Sequence, residues 1–426
     1  MTATRFHPLT VKRISPEAAG SLALTFDIPA PQRETFAFEP GQFLTLRAQV
    51  DGQELRRTYS ICSPRSRLQQ QGEIEIGIRP VPGGVFSNWA ASAIRVGDAL
   101  QVLPPEGSFT VKKTRAIHRV GFAAGSGITP ILSIAASTLQ EQPESKFTLV
   151  FGNRRMASVM FNEALQDLKD TYPSRFTMIH ILSRQAQEVD LLEGRIDRAK
   201  VKALVDTLLP ARSMDEVFIC GPEAMIEATQ AQLQEAGVAP NRIYTERFTT
   251  SAAVAVRVQA ERDAQGRQLD ALKAVHGVRL ELLLDGKLHE LALGRDESVL
   301  DAALEAGLDL PYSCKSGVCC TCRAKVLEGQ VVMQQNFGLH AGEVARGFVL
   351  SRNTLKKPIF HDFRLCTQLA SSARFSLVRR FGITALKKRQ ATDRVAWCCQ
   401  AGLSEATSCM PMALAFWARL CKTRWR

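Results

Sequence analysis

Three cysteines in one short segment constrain this chain more than any other feature. Cys314, Cys319 and Cys322 follow the spacing C-x4-C-x2-C, with Gly317 between the first two. The N-terminus has no apolar leader segment, and clustered cysteines in a non-secreted chain act as metal ligands more often than as disulfides. We therefore expect a loop that wraps a metal centre and needs a further ligand from another segment.

The spacing is that of plant-type [2Fe–2S] ferredoxins, whose fourth cysteine follows the third by about thirty residues. That position is Arg352 here, so the site lacks one thiolate. A zinc site is the alternative, but it would need two paired C-x2-C knuckles. This region holds only one such pair, so we favour the iron–sulfur interpretation, with Cys314, Cys319 and Cys322 as metal ligands.

The composition changes at the same place. Residues 352–426 hold 15 of the 54 Lys and Arg residues but only 3 of the 42 Asp and Glu residues, so they carry the whole formal charge of +12. Because the rest of the chain is balanced, the charge does not indicate a nucleic-acid partner. No segment reaches the ~20 apolar residues of a membrane span. We expect a cytoplasmic protein without a membrane span.

The chain is long enough for about three domains. Residues 1–113 alternate in short runs punctuated by Pro and Gly, which predicts an antiparallel β-barrel. Residues 114–248 alternate strands with helices, which predicts a parallel sheet covered on both faces. Polar residues 249–276 are typical of a linker, residues 277–351 form a third compact unit, and residues 352–426 are an atypical basic tail that we expect to be disordered.

A glycine-rich turn in the second unit suits a dinucleotide. Gly125 and Gly127 follow an apolar strand and open a helix, where backbone N–H groups can bind a pyrophosphate. An ordinary strand–helix turn is the alternative. Arg154, Ser183 and Arg184 follow the next two strands, where basic groups would suit a 2′-phosphate and favour NADPH. Solvated surface arginines would look the same.

A second set of candidates lies in the β-rich unit. Arg57, Tyr59 and Ser60 share one short segment, and Gly84 and Ser87 share a later turn. An arginine can hold a phosphate, an aromatic ring can stack on a flat heterocycle, and a hydroxyl can bond its edge. Taken alone, the first segment is short enough to arise by chance, and an ordinary strand is the better interpretation.

The ordered series of these motifs resembles the ferredoxin–NADP reductase superfamily across residues 5–248. The resemblance implies an FAD-binding barrel followed by a domain that binds NADPH. Cys220 belongs to this series, although a buried core thiol at the end of a strand is the alternative interpretation for this residue. The resemblance assigns Arg57, Gly84, Val85 and Ser87 to the flavin pyrophosphate, Tyr59, Ser60, Glu246 and Phe248 to the flavin ring, and Gly125, Gly127, Thr129, Cys220, Gly221 and Pro222 to the nicotinamide nucleotide.

With a C-terminal ferredoxin unit, the chain resembles the reductase components of multicomponent oxygenases, and among them the reductase subunits of phenylacetyl-CoA epoxidases. Residues 41–46, 54–62, 191–197 and 310–314 carry this likeness, which stops at Ser351. It implies an α+β ferredoxin domain of the β-grasp type, here without its last strand. It also implies that electrons pass from NADPH through FAD and a [2Fe–2S] cluster to partner oxygenase or epoxidase subunits, with no catalytic side chain.

Alternatives remain for the acceptor and for the tail. The acceptor could be another oxygenase or a hybrid-cluster protein, or the chain could be a cluster-defective, flavin-only NAD(P)H reductase. For the tail we favour a reading-frame shift near codon 352. It could instead be a true extension that recruits Cys366 as the fourth ligand, or it could form a membrane-surface helix at residues 410–418, which Pro411 disfavours.

Overall fold

The computed structural model describes residues 5–111, 117–248, 278–293, 297–329, 331–356 and 363–366. All of these described residues belong to one compact unit. The expected linker at residues 249–276 and the possible surface helix at residues 410–418 lie outside the described residues, as does the disorder expected for most of the tail. No helix in the described part of the chain is long and apolar enough to cross a membrane.

The first domain is a curled antiparallel sheet with the strand order β4-β3-β6-β1-β2-β5. An isolated bridge between Ile61 and Ile76 joins the two ends of this order, which closes the sheet toward a barrel. Every second side chain enters the core, as at Leu9 and Val11, because successive residues of a strand face opposite sides. The strands are β1 (His7–Pro16), β2 (Leu22–Asp27), β3 (Phe43–Val50), β4 (Gln53–Ser60), β5 (Glu73–Ile78) and β6 (Ala99–Val102), and the helices are α1 (Arg65–Gln71) and α2 (Val85–Ala93).

The second domain is a five-stranded parallel sheet with the order β11-β10-β7-β8-β9. Apolar clusters cover both of its faces, as expected for strands joined by helical crossovers. The carboxyl ends of the strands therefore meet at one edge. The elements are β7 (His118–Ala124), α3 (Ile128–Glu141), β8 (Lys146–Asn153), α4 (Asn162–Thr171), β9 (Phe176–Leu182), α5 (Arg198–Thr207), β10 (Glu216–Cys220), α6 (Glu223–Glu235) and β11 (Ile243–Glu246).

These two domains pack through buried polar and steric contacts. The Ser133 hydroxyl in α3 donates to the carbonyl oxygen of Ser63 at 2.7 Å. A Cβ atom on Gly77 in β5 would lie 2.7 Å from the Cγ2 atom of Thr129, so the barrel strand contacts the first turn of α3 directly. The start of α3, where a nicotinamide nucleotide is expected, thus faces the barrel.

The third domain is a mixed sheet with the order β13-β12-β18-β14-β16, flanked by a two-stranded β15-β17 ladder. A hairpin turn at Asp285 and Gly286 joins the paired strands β12 and β13, and both turn residues have positive φ angles, as such a tight turn requires. The elements are β12 (Val278–Leu284), β13 (Lys287–Leu293), α7 (Val299–Glu305), β14 (Arg323–Glu328), β15 (Val331–Met333), α8 (Ala341–Ala345), β16 (Phe348–Leu350), β17 (Thr354–Lys356) and β18 (Phe363–Cys366).

The structure corrects the expectation that this domain ends at Ser351 without its last strand. Strand β18 pairs in parallel with β12 and antiparallel with β14, so it lies inside the sheet. Without it, the facing backbone groups of β12 and β14 would lose their partners. Leu365 enters the apolar core and is fully buried. The change in composition at residue 352 therefore does not coincide with the end of the fold.

Candidate cofactor-binding site

Strand β4 carries three of the expected flavin residues. Arg57 is exposed, Tyr59 is half-buried and Ser60 is buried. The guanidinium therefore lies at the surface, and the aromatic ring and the hydroxyl lie closer to the interior. The Tyr59 ring lies 5.9 Å from the Phe86 ring, between centroids, which joins β4 to α2. Burial raises the pKa of Tyr59, so its hydroxyl stays neutral.

The turn before α2 fits a closely bound anion. A Cβ atom on Gly84 would lie 2.5 Å from the Val81 Cγ2 atom and 2.7 Å from the Ser87 hydroxyl oxygen, so a larger residue would displace these side chains. The Ser87 hydroxyl accepts a hydrogen bond from the Val81 N–H at 3.3 Å, and the side chain of Val85 is 53% exposed. The first N–H groups of α2 have no partner within the helix, which suits the pyrophosphate of FAD.

The turn between β7 and α3 fits a nicotinamide nucleotide in the same way. Gly125 has a φ of +54°, and a Cβ atom on Gly127 would lie 2.2 Å from the Cys220 carbonyl oxygen. The hydroxyl of Thr129 donates to the carbonyl of Ser126 at 3.1 Å and thereby closes the first turn of the helix. Gly221 has more room, since its Cβ atom would lie 2.7 Å from the Met225 Cε atom, the end of a flexible side chain.

Cys220 ends β10 and Pro222 directly precedes α6. The Cys220 side chain is fully buried, and this burial raises the pKa of its thiol well above the ordinary value. A neutral, buried thiol is a weak nucleophile. Cys220 therefore offers packing and a backbone carbonyl at the nucleotide edge, and no reactive thiolate.

Basic residues meet at the carboxyl edge of β8 and β9. The N–H of Arg184 donates to the carbonyl of Arg154 at 2.9 Å, and the N–H of Ser183 donates to the carbonyl of Asn153 at 2.9 Å. Both arginine side chains are exposed. The two loops are thus held together by their backbones, which leaves the guanidinium groups available to an anionic ligand.

One carboxylic acid and one hydroxyl meet at the barrel end of the parallel sheet. The Ser60 hydroxyl donates to the Glu246 Oε2 atom at 3.1 Å, which joins the end of β4 to the end of β11. Burial raises the pKa of Glu246 to about 8, so its carboxyl is largely protonated at neutral pH. The pair can hold a proton at this point. Phe248, two residues on, is 38% exposed.

A cavity of about 70 Å³ brings three of the expected flavin residues and the cysteine loop together, whereas Tyr59 and the residues expected at the pyrophosphate do not line it. Ser60, Glu246 and Phe248 line one side, and Cys314 and Cys319 line another. The other residues that line the cavity could not be predicted, because they share no sequence motif. They include Phe43, Phe109, Cys320, Phe337 and Gly338.

Gly338 lets its segment pass close to the cysteine loop, a role that a single glycine does not reveal in the sequence. An added Cβ atom would lie 2.3 Å from the Cys320 sulfur and 2.4 Å from the Val318 carbonyl oxygen. Cys320 itself has a positive φ of 59°, which places it at a sharp bend of the loop. Only a residue without a side chain can approach the loop this closely.

The cysteine loop is arranged around the first of its three expected ligands. The N–H groups of Ser316 and Cys319 both donate to the Cys314 sulfur at 3.4 Å, and Gly317 between them has a φ of +78°. The hydrogen bond from the Cys319 thiol lowers the pKa of Cys314, which favours the thiolate that binds iron. Within the described residues, no group of three or more His, Cys, Asp or Glu side chains forms a ready-made metal site.

The backbone at position 352 lies beside the third cysteine, but its side chain leaves the loop. The N–H of Ser351 donates to the carbonyl of Cys322 at 2.8 Å. The Arg352 guanidinium bonds the Ser298 hydroxyl at 3.1 Å and forms an ion pair with Asp301, at the start of α7. A protonated guanidinium held in this ion pair has no lone pair to offer to iron. The described side chains therefore supply three of the four thiolates that a [2Fe–2S] cluster requires, and the Cys366 side chain is not among them.

Comparison with known proteins supports the three-domain reading. Residues 9–111 match the oxidoreductase FAD-binding domain family, residues 122–231 the oxidoreductase NAD-binding domain family, and residues 282–353 the 2Fe-2S iron-sulfur cluster binding domain family. The solved structure of phthalate dioxygenase reductase has the same fold, with a TM-score of 0.50 and 20% identity, over 85% of this chain and 98% of that one.

Two curated relatives cover most of the chain. A 1,2-phenylacetyl-CoA epoxidase subunit from Escherichia coli (strain K12) is 44% identical over 83% of this chain and 95% of its own length. The ferredoxin reductase component of 3-ketosteroid-9-alpha-monooxygenase from Rhodococcus rhodochrous is 33% identical over 80% of this chain and 92% of its own length. The chain therefore belongs to the ferredoxin–NADP reductase superfamily, as an NAD(P)H-dependent oxidoreductase with a 2Fe-2S domain.

Proposed function

We propose that this chain is the reductase component that passes electrons from NADPH, through FAD and a [2Fe–2S] cluster, to the oxygenase subunits of a phenylacetyl-CoA epoxidase. The observation that carries the proposal is the cavity shared by Ser60, Glu246, Cys314 and Cys319. It puts the expected flavin edge and the cysteine loop against the same space. The 44% identity to the E. coli epoxidase protein supports the choice of acceptor.

The cofactors supply the redox chemistry when bound: FAD accepts the two electrons of a hydride, and a [2Fe–2S] cluster passes electrons singly. The side chains bind and orient them. Arg57, Gly84, Val85 and Ser87 would hold the flavin pyrophosphate, and Tyr59 would pack on the flavin ring. The Ser60–Glu246 pair would hold a proton beside that ring, since the Glu246 pKa of about 8 keeps the carboxyl protonated at neutral pH.

The choice of NADPH over NADH rests on the basic edge of the parallel sheet. Arg154 and Arg184 are exposed there, and their backbones are tied together by a hydrogen bond of 2.9 Å. A guanidinium pairs well with the dianionic 2′-phosphate of NADPH, and the Ser183 hydroxyl adds a donor. A 2′-hydroxyl, as in NADH, would gain much less from two arginines.

Two measurements on the FAD-loaded protein test the proposal. First, kcat/KM for ferricyanide reduction is compared between NADPH and NADH, and we expect a clear preference for NADPH. Second, the Arg352→Cys variant, which restores the fourth thiolate, is mixed with the oxygenase subunits of a phenylacetyl-CoA epoxidase. We expect NADPH oxidation to depend on phenylacetyl-CoA and to yield the epoxide. Product with another oxygenase, and none with the epoxidase, would show that the acceptor was assigned wrongly.

One observation favours a second candidate, a flavin-only NAD(P)H reductase with a defective cluster site. Arg352 occupies the fourth-ligand position, and its guanidinium is held by Ser298 and Asp301. Iron and acid-labile sulfide per chain decide between the two functions. Full flavin content and NADPH–ferricyanide activity with no bound iron would establish the second candidate.

A further inference from the structure

Arg56 lies between the barrel and the ferredoxin domain. Its neighbour on β4 is Arg57, which is expected to bind the flavin pyrophosphate. Arg56 is only 5% exposed, whereas Arg57 is exposed. Successive side chains of a strand point to opposite faces, so β4 can present Arg57 to a cofactor and Arg56 to a neighbouring domain. A buried guanidinium requires partners for its charge and its donors.

The partners of Arg56 come from both domains. Its Nη2 atom donates to the Asp309 Oδ1 atom at 2.7 Å, and its Nη1 atom donates to the Leu310 carbonyl oxygen at 3.3 Å, both in the ferredoxin domain. Its Nε atom donates to the Glu54 Oε1 atom at 2.8 Å, on the same strand. One guanidinium thus bridges a barrel carboxylate to a ferredoxin carboxylate and a ferredoxin carbonyl.

Aromatic rings close the same contact from either side. The Arg56 guanidinium carbon lies 4.3 Å from the centre of the Tyr312 ring and 5.1 Å from the centre of the Phe6 ring. Arg47 lies 4.0 Å from the Phe6 ring centre, and its Nη1 atom is 3.7 Å from the Asp309 Oδ2 atom. Cation–π contacts are strengthened where water is excluded, as around Arg56.

The contact is joined directly to both sides of the cavity. Asp309, Leu310 and Tyr312 lie just before Cys314, the first cysteine of the loop, and Ser60 lies four residues after Arg56 on β4. A shift at Arg56 would therefore move the cysteine loop relative to Ser60. Domain interfaces within one chain resemble transient protein interfaces, so a few buried contacts decide whether such domains stay together.

We propose that Arg56 is a positioning residue that fixes the ferredoxin domain on the barrel and holds the cysteine loop against the flavin side of the cavity. The docking follows from the contacts of Arg56 alone, and its consequence for electron transfer rests on the proposed function. Arg56 acts through Asp309, Leu310 and Tyr312 and touches no reacting atom.

The test is a double-mutant cycle of Arg56→Met, Asp309→Asn and the double variant, read by hydrogen–deuterium exchange of the amides of residues 309–319. Methionine keeps an apolar stem and removes the charge. We expect Arg56→Met to speed exchange in this segment roughly tenfold, because the variant loses the hydrogen bonds of a buried guanidinium to the partly exposed Asp309 carboxylate and to the Leu310 carbonyl oxygen. Asp309→Asn should speed exchange in the wild-type background and add little to Arg56→Met. Arg95→Met, an exposed arginine of the same barrel, is the matched control and should change nothing.

Unchanged exchange in Arg56→Met, or strictly additive effects, would overturn the proposal. The exchange measurement needs neither cofactor nor acceptor, so it decides docking even if the chain oxidises no NADPH. In the Arg352→Cys background, cytochrome c reduction should fall at least about tenfold in Arg56→Met while ferricyanide reduction stays unchanged. Equal losses of both activities would indicate a general structural role and would also overturn the proposal. Arg56→Lys should recover only part of the docking, since an ammonium cannot bridge all three oxygens.

Discussion

The nucleotide-binding half and the ferredoxin domain differ in the groups that form their binding sites. The two nucleotide turns rely on glycines and helix N-termini, as at Gly84 and Gly127, where backbone groups face the ligand. The ferredoxin loop relies on cysteine side chains, and only Cys314, Cys319 and Cys322 stand at their expected places. A backbone site survives most substitutions around it, whereas a four-thiolate site loses its function with one. The nucleotide-binding half can therefore bind its cofactors even where the ferredoxin domain does not hold a cluster.

The largest expected effect comes from restoring the missing thiolate. Arg352→Cys should raise iron and acid-labile sulfide to two each per chain, because the backbone at residue 352 already lies beside Cys322. Cytochrome c reduction should rise with the cluster, and ferricyanide reduction should not change. Arg352→Ser, which also breaks the ion pair with Asp301 but offers no thiolate, is the control. A full complement of iron in the unaltered protein would show that the ferredoxin domain holds its cluster without a cysteine at position 352.

A steric change in the nucleotide half should have the next largest effect. Gly127→Ala would push a Cβ atom to 2.2 Å from the Cys220 carbonyl oxygen, so the backbone must move. We expect a loss of about 1–3 kcal/mol in the free energy of unfolding and weaker NADPH binding. Urea denaturation and ligand titration measure the two. Gly342→Ala, inside α8 where an added Cβ atom meets nothing within 4 Å, should not lower stability and should leave NADPH binding unchanged. Equal stability of the two variants would refute the close packing at Gly127.

A charge removal should separate the two nicotinamide cofactors. Arg184→Ala should raise the KM for NADPH about tenfold and leave the KM for NADH nearly unchanged, because only NADPH carries the 2′-phosphate. Steady-state ferricyanide reduction provides both constants. Arg212→Ala removes an exposed arginine that precedes β10, at the opposite edge of the sheet, and should alter neither constant. A similar change for both cofactors would remove Arg184 from the 2′-phosphate site.

The last expected effect is a pH dependence of stability. The pKa of Glu246 is raised by burial from 4.5 to about 8, so the folded protein keeps a proton that the unfolded chain releases between these values. Stability linked to this group is thus present below pH 4.5 and falls as the pH rises to about 8. Glu246→Gln should have a Tm similar to that of the unaltered protein at pH 5 and a higher Tm at pH 9. Glu227→Gln, exposed on α6, should show no such trend, and a parallel shift at both pH values would contradict the assignment.

The sequence by itself determined which chemical groups this chain carries and in which kind of unit. Glycines at strand–helix turns, the alternation of strands and helices, and the C-x4-C-x2-C spacing are local patterns, and local patterns follow from backbone geometry over a few residues. The missing thiolate at Arg352 was visible in the same way. The sequence misplaced the end of the ferredoxin domain, since β18 is held by pairing with β12 and β14, strands far away in the chain.

Only the tertiary structure decided which of these groups meet. The hydrogen bond from Ser60 to Glu246 spans the barrel and the parallel sheet, and Arg56 reaches Asp309 across more than half of the chain. Neither pairing has a spacing that could be read in the sequence, because contacts between domains depend on packing and not on neighbouring residues. Burial, which raises the pKa of Glu246 and isolates the charge of Arg56, likewise exists only once the domains have packed.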